Sequence, residues 1–122
     1  MTRRPTDREL LEAAREHLAQ VVPALGDPRL KFQTLVAAHV LGVVARELAE
    51  RDRDPEAPAR DRAALQALPG APATDADLCA AIRAGTYDTG TGAKALHALL
   101  RTRVESDLAV WNPAFLARVR AG

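Results

Sequence analysis

Several things are scarce in this 122-residue chain. It has one cysteine, Cys79. No intramolecular disulfide can form, which fits a reducing compartment and points to the cytoplasm. Aromatic residues make up 3% of the sequence, with a single Trp and a single Tyr. That leaves no base-stacking platform for single-stranded nucleic acid. Charge of one sign is also missing, because 17 Lys and Arg stand against 16 Asp and Glu. A net charge of +1 gives no long-range field towards DNA or an anionic membrane. The arginines are interleaved with acids, as in Arg51-Asp52-Arg53-Asp54 and Arg60-Asp61-Arg62. No segment alternates polar and apolar residues long enough to make a strand. The start of the chain moves directly into a charged amphipathic stretch, without the apolar core of an export signal. No run approaches the roughly 18 uninterrupted apolar residues of a membrane span.

What is present is helical. Alanine supplies 26 of the residues. The hydrophobic fraction of 48% therefore overstates the large side chains available for a core. Thr6-Asp7-Arg8-Glu9 has the form of a capping box, in which Thr6 and Glu9 exchange side-chain to backbone hydrogen bonds. Leu10, Leu11, Ala14, Leu18, Val21 and Val22 follow at helical spacing. Gly26-Asp27-Pro28 closes that run. A second helix is expected over residues 29–51, with Phe32, Leu35, Val36, His39, Val40, Val43, Val44 and Leu48 in a wide stripe. Such breadth predicts a central helix packed on more than one side. Residues 51–60 form a charged linker with two prolines. Pro58 suits the first turn of a short third helix ending near Leu68.

Pro69-Gly70-Ala71-Pro72 is a break, and Thr74 caps a fourth helix that Gly85 stops. Residues 86–92 read as a loop, with Thr89 or Thr91 as the next cap. A long fifth helix then carries Leu96, Leu99, Leu100, Val104, Leu108 and Trp111 to a stop at Asn112-Pro113. Residues 114–119 add a turn or two. The expectation is an all-α, single-domain bundle of about five helices over residues 1–122, built around the second helix.

The sequence offers little catalytic chemistry. His17, His39, Cys79 and His97 fall on four different predicted helices, with no chelating pair at i, i+3 or i, i+4. No metal or cofactor is expected. Cys79 reads as a small buried hydrophobe. Gly85 and Gly90 have the spacing of a phosphate-loop pair. Thr91 follows where Lys is needed, and no strand precedes, so the reading is a turn before a helix. His39 reads most simply as a core or interface histidine. Arg46 lies two turns along nearly the same face, which outlines a polar strip. Trp111 fits either core packing or an exposed partner anchor.

A series of short motifs carries a family resemblance along nearly the whole chain. It starts with Arg4-Pro5-Thr6, Glu9-Leu10-Leu11, Leu18 and Val22-Pro23-Ala24-Leu25. It continues through Arg29-Leu30, Phe32, Val36-Ala37-Ala38 and Val44-Ala45-Arg46-Glu47-Leu48. Leu78–Gly85, Asp88, Leu108-Ala109-Val110 and Asn112-Pro113 complete it. The chain resembles a small bacterial helical family of unassigned activity. Its members accompany kinases similar to aminoglycoside phosphotransferases, often beside acyl-CoA dehydrogenases. Some are similar to an accessory subunit that a hydroxyacyl-CoA kinase requires.

The resemblance implies a non-catalytic partner of such a kinase, with no nucleic acid and no membrane involved and self-association left open. His39, Arg46 and Trp111 are the residues expected at the partner surface. Members often carry His at position 33 and Asn at position 39, where this chain has Gln33 and His39. A polar contact made there has different chemistry in this protein. The alternative is a small stand-alone protein that binds or modifies an acyl-CoA.

Overall fold

A computed structural model describes residues 3–122. The described residues contain six α-helices and no strand. These are α1 (Asp7–Val21), α2 (Pro28–Arg53), α3 (Ala57–Gln66), α4 (Asp75–Arg83), α5 (Gly90–Trp111) and α6 (Pro113–Ala121), with a 3-10 turn at Val22–Ala24. The all-α class is therefore as expected. The chain divides into two compact units, Met1–Asp54 and Pro55–Gly122. The boundary falls inside the charged, proline-containing stretch.

Local chemistry sets the helix ends. The amide of Glu9 donates to Thr6 Oγ1 at 3.2 Å, and the amide of Thr6 donates to Glu9 Oε2 at 3.2 Å. This is the reciprocal capping box. Asp27 caps α2 by accepting from the Arg29 amide at 2.9 Å, with Pro28 in the first turn where its missing N–H costs nothing. The helix then outlasts its expected end by two residues. Arg53 reaches Glu50 at 2.6 Å and Arg51 reaches Glu47 at 3.2 Å, both i, i+3 or i, i+4 pairs along its last turns.

In the first unit, α1 packs against α2. The covered face of α2 includes the buried Gly42 and Ala45. On α1 the half-buried positions are Leu11, Arg15, Leu18 and Val21, so an arginine takes a seam position. Gly42 explains how. A methyl group at that position would stand 3.3 Å from the Arg15 guanidinium, closer than ordinary van der Waals contact, so the glycine makes room for it. Leu10, expected on the apolar face, is 55% exposed. The breadth of the α2 stripe predicted packing on more than one side. Within this unit α1 and the 3-10 turn that follows it pack against α2, and Phe32, Leu35, Val36 and Val40 remain at the surface.

The second unit has a defined core of Leu65, Leu68, Leu78, Tyr87 and Leu99, flanked by Ala81, Ala95 and Leu96. Tyr87 donates its hydroxyl to the Pro69 carbonyl at 2.7 Å, tying the α4–α5 loop to the Pro69–Pro72 break. Helix α4 starts at Thr74, whose hydroxyl accepts from the Asp77 amide at 3.1 Å. It ends in a Schellman motif. The amides of Gly85 and Thr86 bond to the carbonyls of Ile82 and Ala81, with Gly85 at φ +84°. Thr89 occupies the N-cap position of α5 without a side-chain cap bond. Asn112 ends α5 and also starts α6, accepting from the Phe115 amide at 3.1 Å. The final turn or two becomes a nine-residue helix.

Candidate functional site

The phosphate-loop-like segment is resolved by the fold. Gly90, Thr91 and Gly92 belong to the first turn of α5, and Gly92 is buried against Tyr87 and Pro69. Nothing there is shaped as an open loop around an anion. Cys79 is exposed, contrary to the expectation of a buried hydrophobe. It sits on the outer side of α4, one residue after the core position Leu78. His17, His39 and His97 are likewise exposed. Among the described residues no three His, Cys, Asp or Glu side chains converge as metal ligands.

The three residues expected at a partner surface divide between the units. His39 and Arg46 are both on α2. Their seven-residue spacing separates them by about 10 Å along the axis. His39 is exposed and is not a core residue. Arg46 is half-buried and lines a groove between α1 and α2. This groove, of about 660 Å³, is walled by Arg8, Arg15 and Arg46 together with Glu9, Glu12 and Glu16. Arg15 donates to Glu12 at 2.9 Å inside it. Its charges balance one another, so it does not select an anion or a cation.

Trp111 lies in the second unit, at the end of α5, and is 61% exposed. Its position in the sequence fits core or surface, and the structure puts it at the surface. Phe115 and Val119 on α6 are also exposed. The Arg118 guanidinium stands 5.7 Å from the Phe115 ring centre, within cation–π range. Residues 111, 115 and 119 recur every fourth position across the Asn112-Pro113 corner. Asn112 between the two helices is non-helical (φ −153°, ψ 71°), so this spacing does not carry one helix face from α5 into α6. The second unit also holds a shallow groove of about 400 Å³ floored by Ala64, Ala67, Ala95 and Ala98.

The titration of Glu50 is shifted. The hydrogen bond from Arg53 holds the Glu50 carboxyl below the usual carboxylate range, and the charge of Arg53 adds to the effect. This ion pair is at the surface and its role is to support the end of α2.

One helix among the described residues, Pro28–Arg53, is long and apolar enough to cross a membrane by length and composition. Its most apolar 18 residues have a mean hydropathy of 1.2. The same features serve a helix that lays one face on α1 and keeps apolar residues on the other.

No curated protein and no solved structure matches the chain. A family description does match, over residues 23–115, from the 3-10 turn after α1 through the start of α6. This span takes in all of α2, the buried cluster and Trp111. The chain belongs to the family described as domain of unknown function DUF6285.

Proposed function

We propose that this protein is a non-catalytic accessory subunit that binds a kinase similar to the aminoglycoside phosphotransferases and supports its action on a hydroxyacyl-CoA. The kind of partner comes from the family resemblance. The observation that carries the binding role is the end of α5, where Trp111 is 61% exposed, with Phe115 and Val119 exposed on the following α6. A large amphipathic ring held at a helix end is the usual chemistry of an interface anchor. His39 and Arg46 supply further polar contacts in this reading.

Binding acts by favouring the competent conformation of the kinase or by completing its acyl-CoA site. Moving a conformational equilibrium from 1:99 to 99:1 takes about 5.5 kcal/mol of differential affinity. A standard protein interface is sufficient for that.

The test uses the kinase encoded beside this chain and a 4-hydroxyacyl-CoA. ATP-dependent phosphorylation is measured with and without the protein, alongside co-elution of the two chains. The expected result is stimulation by the wild type. Trp111→Ala should lose about 2 kcal/mol of binding, or roughly thirtyfold in Kd, as for a central anchor. Equal rates together with no co-elution overturn the reading. Turnover of the acyl-CoA by this protein alone moves the case to a stand-alone enzyme.

A further inference from the structure

Charge and apolar exposure are unevenly spread over the first unit. From His17 to Arg46 the sequence has a single acidic residue, Asp27, and its carboxylate accepts from the Arg29 amide at the start of α2. The unit's other acids all lie in residues 7–16 and 47–54. The acid-poor stretch carries Arg29 and Lys31, both exposed and neither ion-paired among the described residues. Next to them Phe32 is 68% exposed, Leu35 52%, Val36 45% and Val40 50%. These four stand at i, i+3, i+4 and i+8, on one side of the helix. His39, also exposed, lies among them. Val43, one turn beyond Val40, is 4% exposed, so the open face belongs to the first half of α2.

We infer that this face docks into an apolar groove bordered by carboxylates on the kinase partner. The inference rests on the kinase reading, and adds to it the face to which His39 belongs and the chemistry of the surface that receives it. The i, i+3, i+4 spacing is that of a helix anchoring in a hydrophobic groove. The charge argues for the acidic rim. Arg29 and Lys31 are unpaired cations at the N-terminal end of a helix, where the macrodipole is positive too, and carboxylates oppose both. A second copy brings the same two cations and one carboxylate already used as a cap, so the face does not complement itself. An anionic lipid surface is recognised by clusters of about 4–8 basic residues, and two stand here.

The four apolar side chains present roughly 350 Å², in the range of the largest patch on an ordinary monomer. One side of a standard interface is about 800 Å². The α2 face is therefore one contact of the complex in addition to Trp111, and truncating it weakens binding without abolishing it.

The test uses the full chain and the kinase encoded beside it. Binding is followed by surface plasmon resonance at about 0.05 M and about 0.3 M salt, where screening differs strongly. Phe32→Ala with Leu35→Ala should raise Kd about thirtyfold. Both residues are exposed, so far-ultraviolet circular dichroism should be unchanged. Arg29→Glu with Lys31→Glu should slow association about tenfold at the lower salt and flatten its salt dependence. Acids suit the first turn of a helix, so this variant also stays folded. Wild-type binding that both folded variants retain overturns the proposal and leaves the kinase reading standing on Trp111. No binding by the wild type overturns both. An effect of the charge reversal alone overturns the apolar groove, and an effect of the alanine pair alone overturns the carboxylate rim. Co-sedimentation with phosphatidylserine-rich vesicles, or a concentration-dependent doubling of the 13.1 kDa mass, also overturns the proposal where the alanine pair abolishes it, because the face then belongs to lipid or to a second copy.

Discussion

The two units solve the same problem with unequal means. The second has five mutually packed buried side chains, a tyrosine hydroxyl bonded across a loop and a long-range ion pair from Arg103 to Asp75 at 3.0 Å. The first is a helical hairpin whose buried residues, among those described, are Gly42, Val43 and Ala45, two of them nearly without side chain. Yet the first unit holds the one helix among the described residues with an apolar stretch long enough to match a membrane span in length and composition. Hydrophobic content and burial are thus separated in this protein. The unit with the core is stabilised from within. The unit with the apolar helix keeps much of its hydrophobic surface for something else. An exposed apolar face is informative where a contiguous row occurs, because single exposed hydrophobics are ordinary.

That contrast predicts where mutations hurt. Leu78 is 4% exposed and sits at the centre of the second unit's cluster. Leu78→Ala should cost about 3 kcal/mol, combining lost transfer energy with a residual cavity. Tyr87 and Trp111, the single Tyr and Trp, are both in the second unit, so intrinsic fluorescence reports that unit alone. Denaturant unfolding followed by fluorescence should show the loss in full. A fluorescence midpoint that does not move would mean that the cluster does not hold the second unit together.

Tyr87→Phe comes next. It leaves the ring in place and strips the Pro69 carbonyl of its donor. The expected loss is about 1–2 kcal/mol, the cost of an unmet hydrogen bond at a part-buried site. A double variant with Pro69 neighbours altered is unnecessary, since the ring packing is retained in the single change. A loss below about 0.3 kcal/mol would show that water replaces the tyrosine donor at this carbonyl.

The same substitution type should behave differently in the first unit. Periodicity placed Val40 at the heart of a central helix, where a buried carboxylate would be severely destabilising. Val40 is in fact 50% exposed. Val40→Asp should therefore cost no more than about 1 kcal/mol in dilute solution. Urea unfolding followed by circular dichroism checks it. A loss as large as that of Leu78→Ala would mean that the face is covered in the folded monomer.

These cases mark what the sequence made legible. Caps and breaks were read correctly at Thr6, Thr74, Gly85 and Asn112-Pro113, because each is a local hydrogen-bonding or backbone requirement. Helix α2 was found to within two residues at either end for the same reason. Periodicity also identified its apolar side chains, but a count of apolar residues does not say how many neighbours arrive to cover them. The exposure of His39, Cys79 and Trp111 was beyond a one-dimensional pattern. Tyr87 went unnoticed because it lies in a loop, where no period marks it. Arg15 was missed because long cationic side chains are assumed to be solvated. The glycine opposite, Gly42 in mid-helix, was the available signal of close approach.

A smaller effect of opposite sign is expected at Gly92. It lies in the first turn of α5, and a methyl group there would meet the Thr86 carbonyl oxygen at 3.5 Å and the Tyr87 ring at 3.7 Å. Both are ordinary contact distances, and the backbone is helical. Gly92→Ala should stabilise the second unit by about 0.5 kcal/mol through reduced freedom of the unfolded chain. Destabilisation in the fluorescence transition would place the loop closer to the helix than these distances allow.

The smallest effect concerns the end of α2. Arg53 holds Glu50 ionised by a hydrogen bond and by its charge, so the folded carboxyl titrates below its unfolded value. The sign follows from linkage. A depressed carboxylate contributes stability that is present above the unfolded pKa and is lost as pH falls through the folded one. The pair is fully at the surface, so its contribution to unfolding is small and screened by salt. The carboxyl itself is the better probe. Carbon-detected NMR titration should find the Glu50 midpoint below the usual carboxylate range. Arg53→Ala should return it to that range, while Arg53→Lys should retain part of the depression, because a point charge keeps the attraction but loses the forked geometry. An unchanged midpoint in Arg53→Ala would assign the depression to some other group. Because the pair closes the last turn of α2, the same titration also reports whether the helix extends to Arg53 in solution.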